Sequence, residues 1–326
     1  MSDTVPKLKV LTTRRWPAAV EEELARQFDL TLNDSDEPMS QQALAAAMGE
    51  YDVLCPTVSD KIDAAVINGG TRVKLIANYG VGFDHIDIAA AQAKGIAVTN
   101  TPGVLTDATA DIALTLLLMA ARRAGEGERE LRAGAWSGWR PTHLIGSALK
   151  GKVLGCVGFG RIGIATARRA HHGFGMKVAY YGRHACEPDV GQELDAKYYS
   201  NISDLLHEAD FVSLHVPGGG ETANLIDADA IASMKKGSYL INTARGGIVD
   251  HEALADALKR GHLAGAGLDV YPAEPAVPEA LLGLENVVLL PHLGSANAET
   301  RIAMGMCALA NITAFANGED VPNPVA

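Results

Sequence analysis

VLGCVGFGRIG, from Val153 to Gly163, joins an apolar run to three closely spaced glycines, and the helix-like stretch IATARRA follows it. This pattern predicts a buried strand, a tight turn and the start of a helix. Gly158 permits the turn, Gly160 lets the backbone approach a ligand, and Gly163 lets the helix pack on the strand. The free N–H groups and partial positive charge at the helix start suit a pyrophosphate. We therefore predict a dinucleotide-binding loop, the alternative being a glycine-rich turn without a ligand.

The composition is that of an ordinary globular protein of about two domains. The chain has 326 residues, of which 48% are hydrophobic and 21% charged. Its net charge of −11, without a run of five like charges, argues against binding to nucleic acid or to an anionic membrane. The four cysteines follow no metal-binding pattern, which predicts reduced thiols and no metal. The longest apolar stretch, residues 112–121, has about half the ~20 residues of a membrane span, so we expect a cytoplasmic protein.

Strand patterns alternate with helix patterns along the whole chain, which predicts an α/β protein with parallel sheets covered on both faces. The first half lacks a G-x-G-x-x-G loop, so it need not bind a nucleotide. The second half reads as a doubly wound sheet of about six or seven strands. Ser40 and Thr106 are plausible N-caps. The predicted strands are 7–11, 29–32, 53–55, 73–77, 96–100, 153–157, 177–181, 211–216, 238–243, 266–270 and 287–290, and the main helices are 18–28, 41–48, 63–67, 107–123, 125–132, 202–207, 228–234, 251–260 and 298–317.

The loop GAWSGWRP, residues 134–141, holds two of the three tryptophans, Trp136 and Trp139. The aromatic rings either pin this loop to its own core or belong to an arm that reaches a partner subunit, where Trp and Arg are favoured anchors. The residues leave both interpretations open.

Polar residues follow the strands of the second half, where ligands of open α/β sheets bind. Arg245, Glu274 and His292 bring a cation, a carboxylate and a histidine to one sheet edge beside the glycine loop. Each also has a plain explanation, as the partner of a surface acid, a solvated loop charge or a cap of a neighbouring strand.

Four segments, 157–163, 241–250, 267–275 and 290–295, resemble the D-isomer-specific 2-hydroxyacid dehydrogenases, and the similarity covers nearly the whole chain. Segments 34–38, 104–107 and 136–141 are most similar to the glyoxylate/hydroxypyruvate reductases of that family. The resemblance implies two Rossmann-like doubly wound domains with the active site in the cleft between them. It implies a substrate-binding domain of residues 1–102 plus 297–326 and a dinucleotide-binding domain of 103–296. A dimerisation arm at about 103–150 would embrace the partner in a homodimer.

The resemblance implies a catalytic set of Arg245, Glu274 and His292. Arg245 would bind the carboxylate of a 2-keto acid and polarise its carbonyl. His292, as imidazolium, would donate a proton as hydride arrives, and Glu274 would stabilise the charged ring. The backbone at Val81 and Gly82 would hold the substrate carboxylate, unless that loop is a plain turn. Further substrate contacts are expected from Val58, beside Thr57, and from Trp139, either in its own chain or from the partner.

The expected cofactor is a nicotinamide dinucleotide, and the residues after strand 177–181 bear on which one. NAD enzymes carry an acid about 20 residues after the glycine loop, whereas Gly182, Arg183 and His184 occupy this position. We therefore predict NADP(H) as the preferred cofactor with NAD(H) possible; alternatively, Arg183 only stacks on adenine. Cofactor contacts are expected from Thr109, Gly158, Phe159, Gly160, Arg161, Ile162, Gly163, Gly182, Arg183, His184, His215, Val216, Pro217, Thr222, Thr243, Ala244, Arg245, Asp269, His292 and Gly294.

The predicted function is reduction of small 2-keto acids, glyoxylate and hydroxypyruvate first, to D-2-hydroxy acids. One alternative is a reductase of bulkier, phenylpyruvate-like keto acids; closure of the pocket by Trp139 would favour the small substrates. Another is a non-catalytic dinucleotide sensor of the same fold, which would be expected to lack one of the three catalytic residues.

Overall fold

The computed structural model of the protein describes residues 7–325, which form two compact α/β units. One unit comprises the chain up to Leu105 together with the segment that begins at Ala296, and the other is Thr106–Ser295. Each unit is built on one parallel sheet, as the sequence predicts.

The first unit has a five-stranded parallel sheet in the order β2-β1-β3-β4-β5. The strand order reverses at β1 and β3, and ligands of such sheets bind at this kind of switch point. Val53–Cys55 and Leu75–Ala77 are buried along their whole length, as is typical of central parallel strands. The elements are β1 (Lys9–Thr12), α1 (Ala18–Gln27), β2 (Asp29–Leu32), α2 (Gln41–Glu50), β3 (Val53–Cys55), α3 (Ala64–Ile67), β4 (Leu75–Ala77), α4 (Ile88–Ala93) and β5 (Ala97–Thr99).

The second unit has a seven-stranded parallel sheet in the order β12-β11-β10-β9-β6-β7-β8. Read from β8, this is the Rossmann order 3-2-1-4-5-6 with one further strand. The elements are α5 (Thr106–Ala121), α6 (Ala124–Arg132), β6 (Val153–Val157), α7 (Arg161–Arg168), β7 (Lys177–Tyr181), α8 (Pro188–Glu193), β8 (Lys197–Tyr199), α9 (Ile202–Glu208), β9 (Phe211–Leu214), α10 (Ala228–Ser233), β10 (Tyr239–Asn242), α11 (His251–Lys259), β11 (Gly265–Leu268), α12 (Glu279–Leu282) and β12 (Val287–Leu289).

The last helix, α13 (Ala298–Ala316), belongs to the first unit. It packs on α1 at Gly305, where an added Cβ would lie 2.7 Å from a methyl carbon of Val20. Tyr79, after β4, donates a hydrogen bond of 2.6 Å from its hydroxyl to the carbonyl of Arg301. The chain thus returns to its first sheet after leaving the second.

Two local features differ from the sequence prediction. Strand β8 is missing from the predicted strands, because its three residues, KYY, lie at the sheet edge and are at most half-buried, so they show no apolar run. Thr106 is the first residue of α5 rather than its N-cap. Ser40 is the N-cap of α2, as predicted, and its hydroxyl accepts a hydrogen bond of 3.2 Å from Ala43 N–H.

The segment between α6 and β6 is loop, and it exposes its aromatic residues. Trp136 is 50% and Trp139 81% exposed. The rings therefore do not pin the loop to the core of their own chain. Elsewhere among residues 7–325, no helix is both long and apolar enough to cross a membrane.

Candidate functional site

The glycine loop has the geometry that its sequence predicts. Gly158 has a positive φ of +91°, and a Cβ there would lie 2.7 Å from the carbonyl carbon of His215. A Cβ on Gly163 would lie 2.4 Å from the Gly158 oxygen, so the helix packs directly beneath the turn. At Gly160 an added Cβ meets nothing within 4 Å, and no side chain caps the first N–H groups of α7. The loop thus keeps an open, N–H-rich face that fits a pyrophosphate.

His215, directly after β9, packs against the glycine loop. Its N–H donates to the Val157 carbonyl at 2.7 Å, and its Nε2 lies 2.9 Å from the Ser213 hydroxyl. The ring edge faces Gly163. Burial lowers the pKa of His215 to about 4, so the ring is neutral at physiological pH. Its side chain is therefore a packing and hydrogen-bonding group under the loop.

The predicted determinants of cofactor choice, Gly182, Arg183 and His184, directly follow β7. Gly182 follows Tyr181, and its nearest neighbour for an added Cβ is the His184 oxygen at 3.4 Å, an ordinary contact. Arg183 and His184 are exposed. The first acid after the strand, Glu187, is the N-cap of α8. A basic side chain rather than a carboxylate therefore flanks this position.

Glu274 and His292 form a hydrogen-bonded pair. Glu274 Oε2 lies 2.8 Å from His292 Nδ1, and Glu274 Oε1 accepts a 3.0 Å hydrogen bond from the Tyr271 N–H. Both side chains are about one-third exposed. The pair leaves Nε2 of His292 as the ring nitrogen that can exchange a proton with a ligand.

Arg245 follows β10 on the same sheet edge, and a buried amide fixes its backbone. Asn242 is fully buried; its Nδ2 donates to the Arg245 carbonyl at 2.8 Å, and its Oδ1 accepts from Ala244 N–H at 3.0 Å. The positive charge of Arg245 acts on Glu274. The structure thus brings Arg245, Glu274 and His292 together, as their positions after parallel strands predict.

The carboxylate of Glu274 remains ionised. Partial burial alone would raise the pKa of Glu274, but its hydrogen bond to His292, the charge of that ring, the Tyr271 N–H and the Arg245 charge together lower it below its ordinary value. Ionised Glu274 thus presents a carboxylate oxygen to His292 Nδ1.

A buried aspartate, Asp269, shapes the backbone that carries His292. Asp269 is fully buried, and its two carboxylate oxygens accept from Leu293 N–H at 2.6 Å and Gly294 N–H at 2.8 Å. Its carbonyl accepts from His292 N–H at 2.9 Å. Burial raises the pKa of Asp269 against the lowering effect of these N–H groups and of the nearby imidazole.

The loop around His292 is backbone-strained and anchored. His292 has a φ of +55°, which is uncommon outside glycine and marks a constrained position. Thr109 donates to the Gly294 carbonyl at 3.1 Å. The sequence predicts Asp269 and Thr109 as cofactor contacts, and the structure shows that they also anchor the His292 loop. For Asp269, the signal in the sequence is a carboxylate directly after an apolar strand.

The remaining predicted cofactor residues lie after β9 and β10. The Thr222 hydroxyl donates to the Pro217 carbonyl at 2.7 Å and closes the short turn that follows Val216. Beside Ala244, Thr243 is 9% exposed, and its hydroxyl has no hydrogen-bond partner among residues 7–325. This hydroxyl is buried from solvent just after the end of β10.

The predicted substrate loops of the first unit lie side by side. Thr57 pairs with Tyr79 in an isolated parallel bridge, and the Tyr79 N–H donates to the Pro56 carbonyl at 2.9 Å. A Cβ on Gly80 would lie 3.3 Å from Val58 Cγ1, so Val58 borders the loop that contains Val81 and Gly82. Trp139 lies in the second unit, on the exposed loop.

No group of three or more His, Cys, Asp or Glu side chains that could hold a metal ion occurs among residues 7–325.

A Rossmann-ordered sheet with an open glycine loop defines a dinucleotide-binding α/β protein. The family model for D-isomer specific 2-hydroxyacid dehydrogenase, NAD binding domain, matches residues 114–294. The chain belongs to the D-isomer-specific 2-hydroxyacid dehydrogenase family.

Individual relatives agree with this assignment. A glyoxylate reductase of Thermococcus litoralis is 46% identical over 323 residues, which are 98% of this chain and 97% of that protein. The crystal structure of an NADPH-dependent glyoxylate/hydroxypyruvate reductase from Sinorhizobium meliloti, in complex with NADP and malonate, superposes with a TM-score of 0.88 at 35% identity, covering 98% and 97% of the two chains. The holo form of Rhodotorula graminis D-mandelate dehydrogenase superposes with a TM-score of 0.89 at 30% identity, covering 99% and 98%.

Proposed function

We propose that the protein reduces small 2-keto acids, glyoxylate and hydroxypyruvate first, to D-2-hydroxy acids with NADPH as the preferred hydride donor. The observation that carries this proposal is the Glu274–His292 hydrogen bond of 2.8 Å at the sheet edge that also bears Arg245. A positioned acid and a fixed cation are what reduction of a keto acid requires of the protein. A non-catalytic sensor has no need of this set.

The residues of the chain act by positioning and electrostatics. The guanidinium of Arg245 binds the substrate carboxylate and polarises the keto oxygen. His292 gives the proton on Nε2 to that oxygen, and its Nδ1 stays against ionised Glu274. A bound nicotinamide would supply the hydride that the carbonyl carbon receives. One keto acid, one NADPH and one proton thus give one hydroxy acid and one NADP⁺, and the reverse reaction uses neutral His292 as the base.

The second unit is proposed to hold the dinucleotide and the first unit the substrate carboxylate. The open face at Gly160 and the N-terminus of α7 would hold the pyrophosphate. Exposed Arg183 would meet a 2′-phosphate, where a carboxylate would repel it.

The preference for NADPH is tested at Gly182. The unchanged enzyme is expected to show a kcat/KM for NADPH about tenfold or more above that for NADH with glyoxylate, since one ion pair at a phosphate is worth about 1–2 kcal/mol. Gly182→Asp should lower or reverse this ratio, because the space admits a side chain and the carboxylate accepts hydrogen bonds from ribose hydroxyls. Gly182→Asn is the uncharged control of equal size. A preference for NADH in the unchanged enzyme would contradict the proposal.

A reductase of bulkier keto acids is the second candidate, and the similarity to D-mandelate dehydrogenase favours it. Steady-state rates with glyoxylate, hydroxypyruvate and phenylpyruvate distinguish the two. A higher kcat/KM for phenylpyruvate than for glyoxylate would replace the small-substrate proposal. If no 2-keto acid is turned over, the non-catalytic dinucleotide sensor becomes the favoured function.

We propose a homodimer joined through the loop after α6. Leu131, Trp136, Trp139 and Ile145 are 50–81% exposed within a span of 15 residues, a concentration of apolar surface that a second copy would cover. Light scattering should give twice the 34.2 kDa of one chain. Trp136→Ser with Trp139→Ser should shift the mass toward one chain, and Leu282→Ser, an exposed leucine elsewhere in the unit, should not. A monomeric unchanged protein would refute the dimer.

A further inference from the structure

The loop Gly80–Gly82, after β4, has every one of its carbonyl groups bound by a side-chain amide. Asn78 Nδ2 donates to the Gly80 carbonyl at 3.1 Å and to the Gly82 carbonyl at 2.8 Å. Asn100 Nδ2 donates to the Val81 carbonyl at 2.8 Å. The Gly80 carbonyl also accepts from Thr101 N–H at 3.0 Å. Three consecutive carbonyl dipoles are therefore directed toward the body of the unit.

The N–H groups of the same loop have the opposite character. Across residues 7–325, neither the Val81 nor the Gly82 N–H donates a hydrogen bond to the protein. Both residues are half-buried, so these N–H groups are not fully exposed to bulk solvent. Peptide groups that turn their oxygens inward expose their positive ends outward, and adjacent N–H groups of this kind attract anions.

The orientation of the Asn78 amide is determined by its neighbours. Asn78 is fully buried, and both Gly80 and Gly82 offer it acceptors, so Nδ2 must face the loop. Its Oδ1 then faces His85 Nε2 at 3.0 Å and accepts from it. His85 therefore carries its proton on Nε2 and prevents the amide from turning over.

The backbone of Asn100 is held by the C-terminal segment. Its N–H donates to the Asn323 carbonyl at 3.2 Å, and its own carbonyl accepts from Asn311 Nδ2 at 3.5 Å. Asn311 is fully buried in α13, so the packed helix supports the backbone of Asn100. Two side-chain amides, one on buried Asn78 and one on the backbone-anchored Asn100, thus bind the carbonyls of one three-residue loop.

We propose that Asn78 and Asn100 are positioning residues that keep the Val81 and Gly82 N–H groups directed at the substrate carboxylate. The inference rests on the proposed function, in which this loop receives that carboxylate. The two amides act through the loop backbone and touch neither substrate nor cofactor. Their contribution is to selection of an anionic substrate, because a loop that turned its carbonyls outward would repel a carboxylate.

Asn100→Asp and Asn78→Asp test the proposal. Each replaces an N–H donor by an oxygen that repels the loop carbonyls, and we expect KM for glyoxylate and Ki for oxamate to rise in parallel by about tenfold or more. The kcat at saturating glyoxylate should stay within about threefold, and the Kd for NADPH should not change, because the proton donor and the dinucleotide loop belong to the other unit. Asn100 is half-buried, which keeps its variant informative if the Asn78 variant does not fold.

The matched control is Asn33→Asp. Asn33 lies in the same unit, and its Nδ2 also donates to two main-chain carbonyls, of Thr13 at 2.9 Å and Glu37 at 2.7 Å, but it does not touch the Gly80–Gly82 loop. It should leave KM and Ki unchanged. Folded Asn100→Asp protein with unchanged KM and Ki would overturn the inference, as would an equal effect of Asn33→Asp. If the unchanged protein neither binds oxamate nor oxidises NADPH with glyoxylate, the proposed function fails instead.

Discussion

Replacing His292 by asparagine is expected to lower kcat for glyoxylate reduction by about 10²- to 10⁴-fold, the usual contribution of a positioned general acid. Asparagine is a better choice than alanine, because it tolerates the left-handed φ of +55° at this position and so separates loss of the proton donor from backbone strain. His292→Ala should lose at least as much activity. Single-turnover absorbance at 340 nm measures the effect on the chemical step.

The control for this variant is retention of cofactor binding. The Asp269 carboxylate contacts Leu293 and Gly294 rather than the imidazole, so the loop should keep its form and NADPH should still bind. Glu274→Gln should lose less activity than His292→Asn, because the proton donor stays in place while its ionised partner is lost. Near-normal turnover of His292→Asn would show that another group supplies the proton.

Replacing Arg245 by glutamine is expected to lower kcat/KM for glyoxylate by about 10²- to 10³-fold or more. Removing a fixed hydrogen-bond donor that stabilises developing negative charge typically has an effect of this size. The guanidinium is proposed to bind the carboxylate and the keto oxygen together, so kcat should fall and KM should rise. Arg245→Lys keeps the charge but loses the planar fork, and it should recover only part of the activity. Steady-state kinetics with glyoxylate and inhibition by oxamate measure both effects.

Arg260→Gln is a suitable control for Arg245→Gln. Arg260 lies in the same unit, directly after α11, and donates from Nε to the Asp256 carbonyl at 3.2 Å on the exposed surface. Its loss should leave kcat/KM unchanged. A decrease below about tenfold for Arg245→Gln would remove this arginine from the proposed site, since even one hydrogen bond to a charged group is worth about 1.5–3 kcal/mol.

Much of the fold was readable from local patterns. Apolar runs and intervening helices predicted two parallel sheets, since both faces of such strands are buried and their residues are apolar throughout. Strand β8 was missed because an exposed edge strand of three residues carries no such run. The sequence does not decide how the loop of Trp136 and Trp139 packs, for a related reason. Aromatic residues predict burial, but they do not indicate whether the burial is within the same chain or against a second chain.

The sequence predicts the polar residues of the candidate site better than it predicts the residues that support them. Arg245, Glu274 and His292 were found because parallel strands end at one edge, so residues that follow them in sequence meet in space. The sequence does not reveal the residues that support the backbone of the three ligand loops. Asp269 supports the His292 backbone, His215 lies neutral beneath the glycine loop, and Asn78 grips a loop two to four residues further on.

The sequence by itself determined the dinucleotide loop from Gly158 to Gly163 and the types of side chain that follow the strands. Glycine spacing and the position of a residue after a strand are local properties of the chain. The direction of the Gly80–Gly82 carbonyls, the left-handed backbone of His292 and the exposure of Trp139 arose only on folding. Each depends on contacts between residues far apart in sequence, or on their absence, and such contacts leave no periodic signal in the chain.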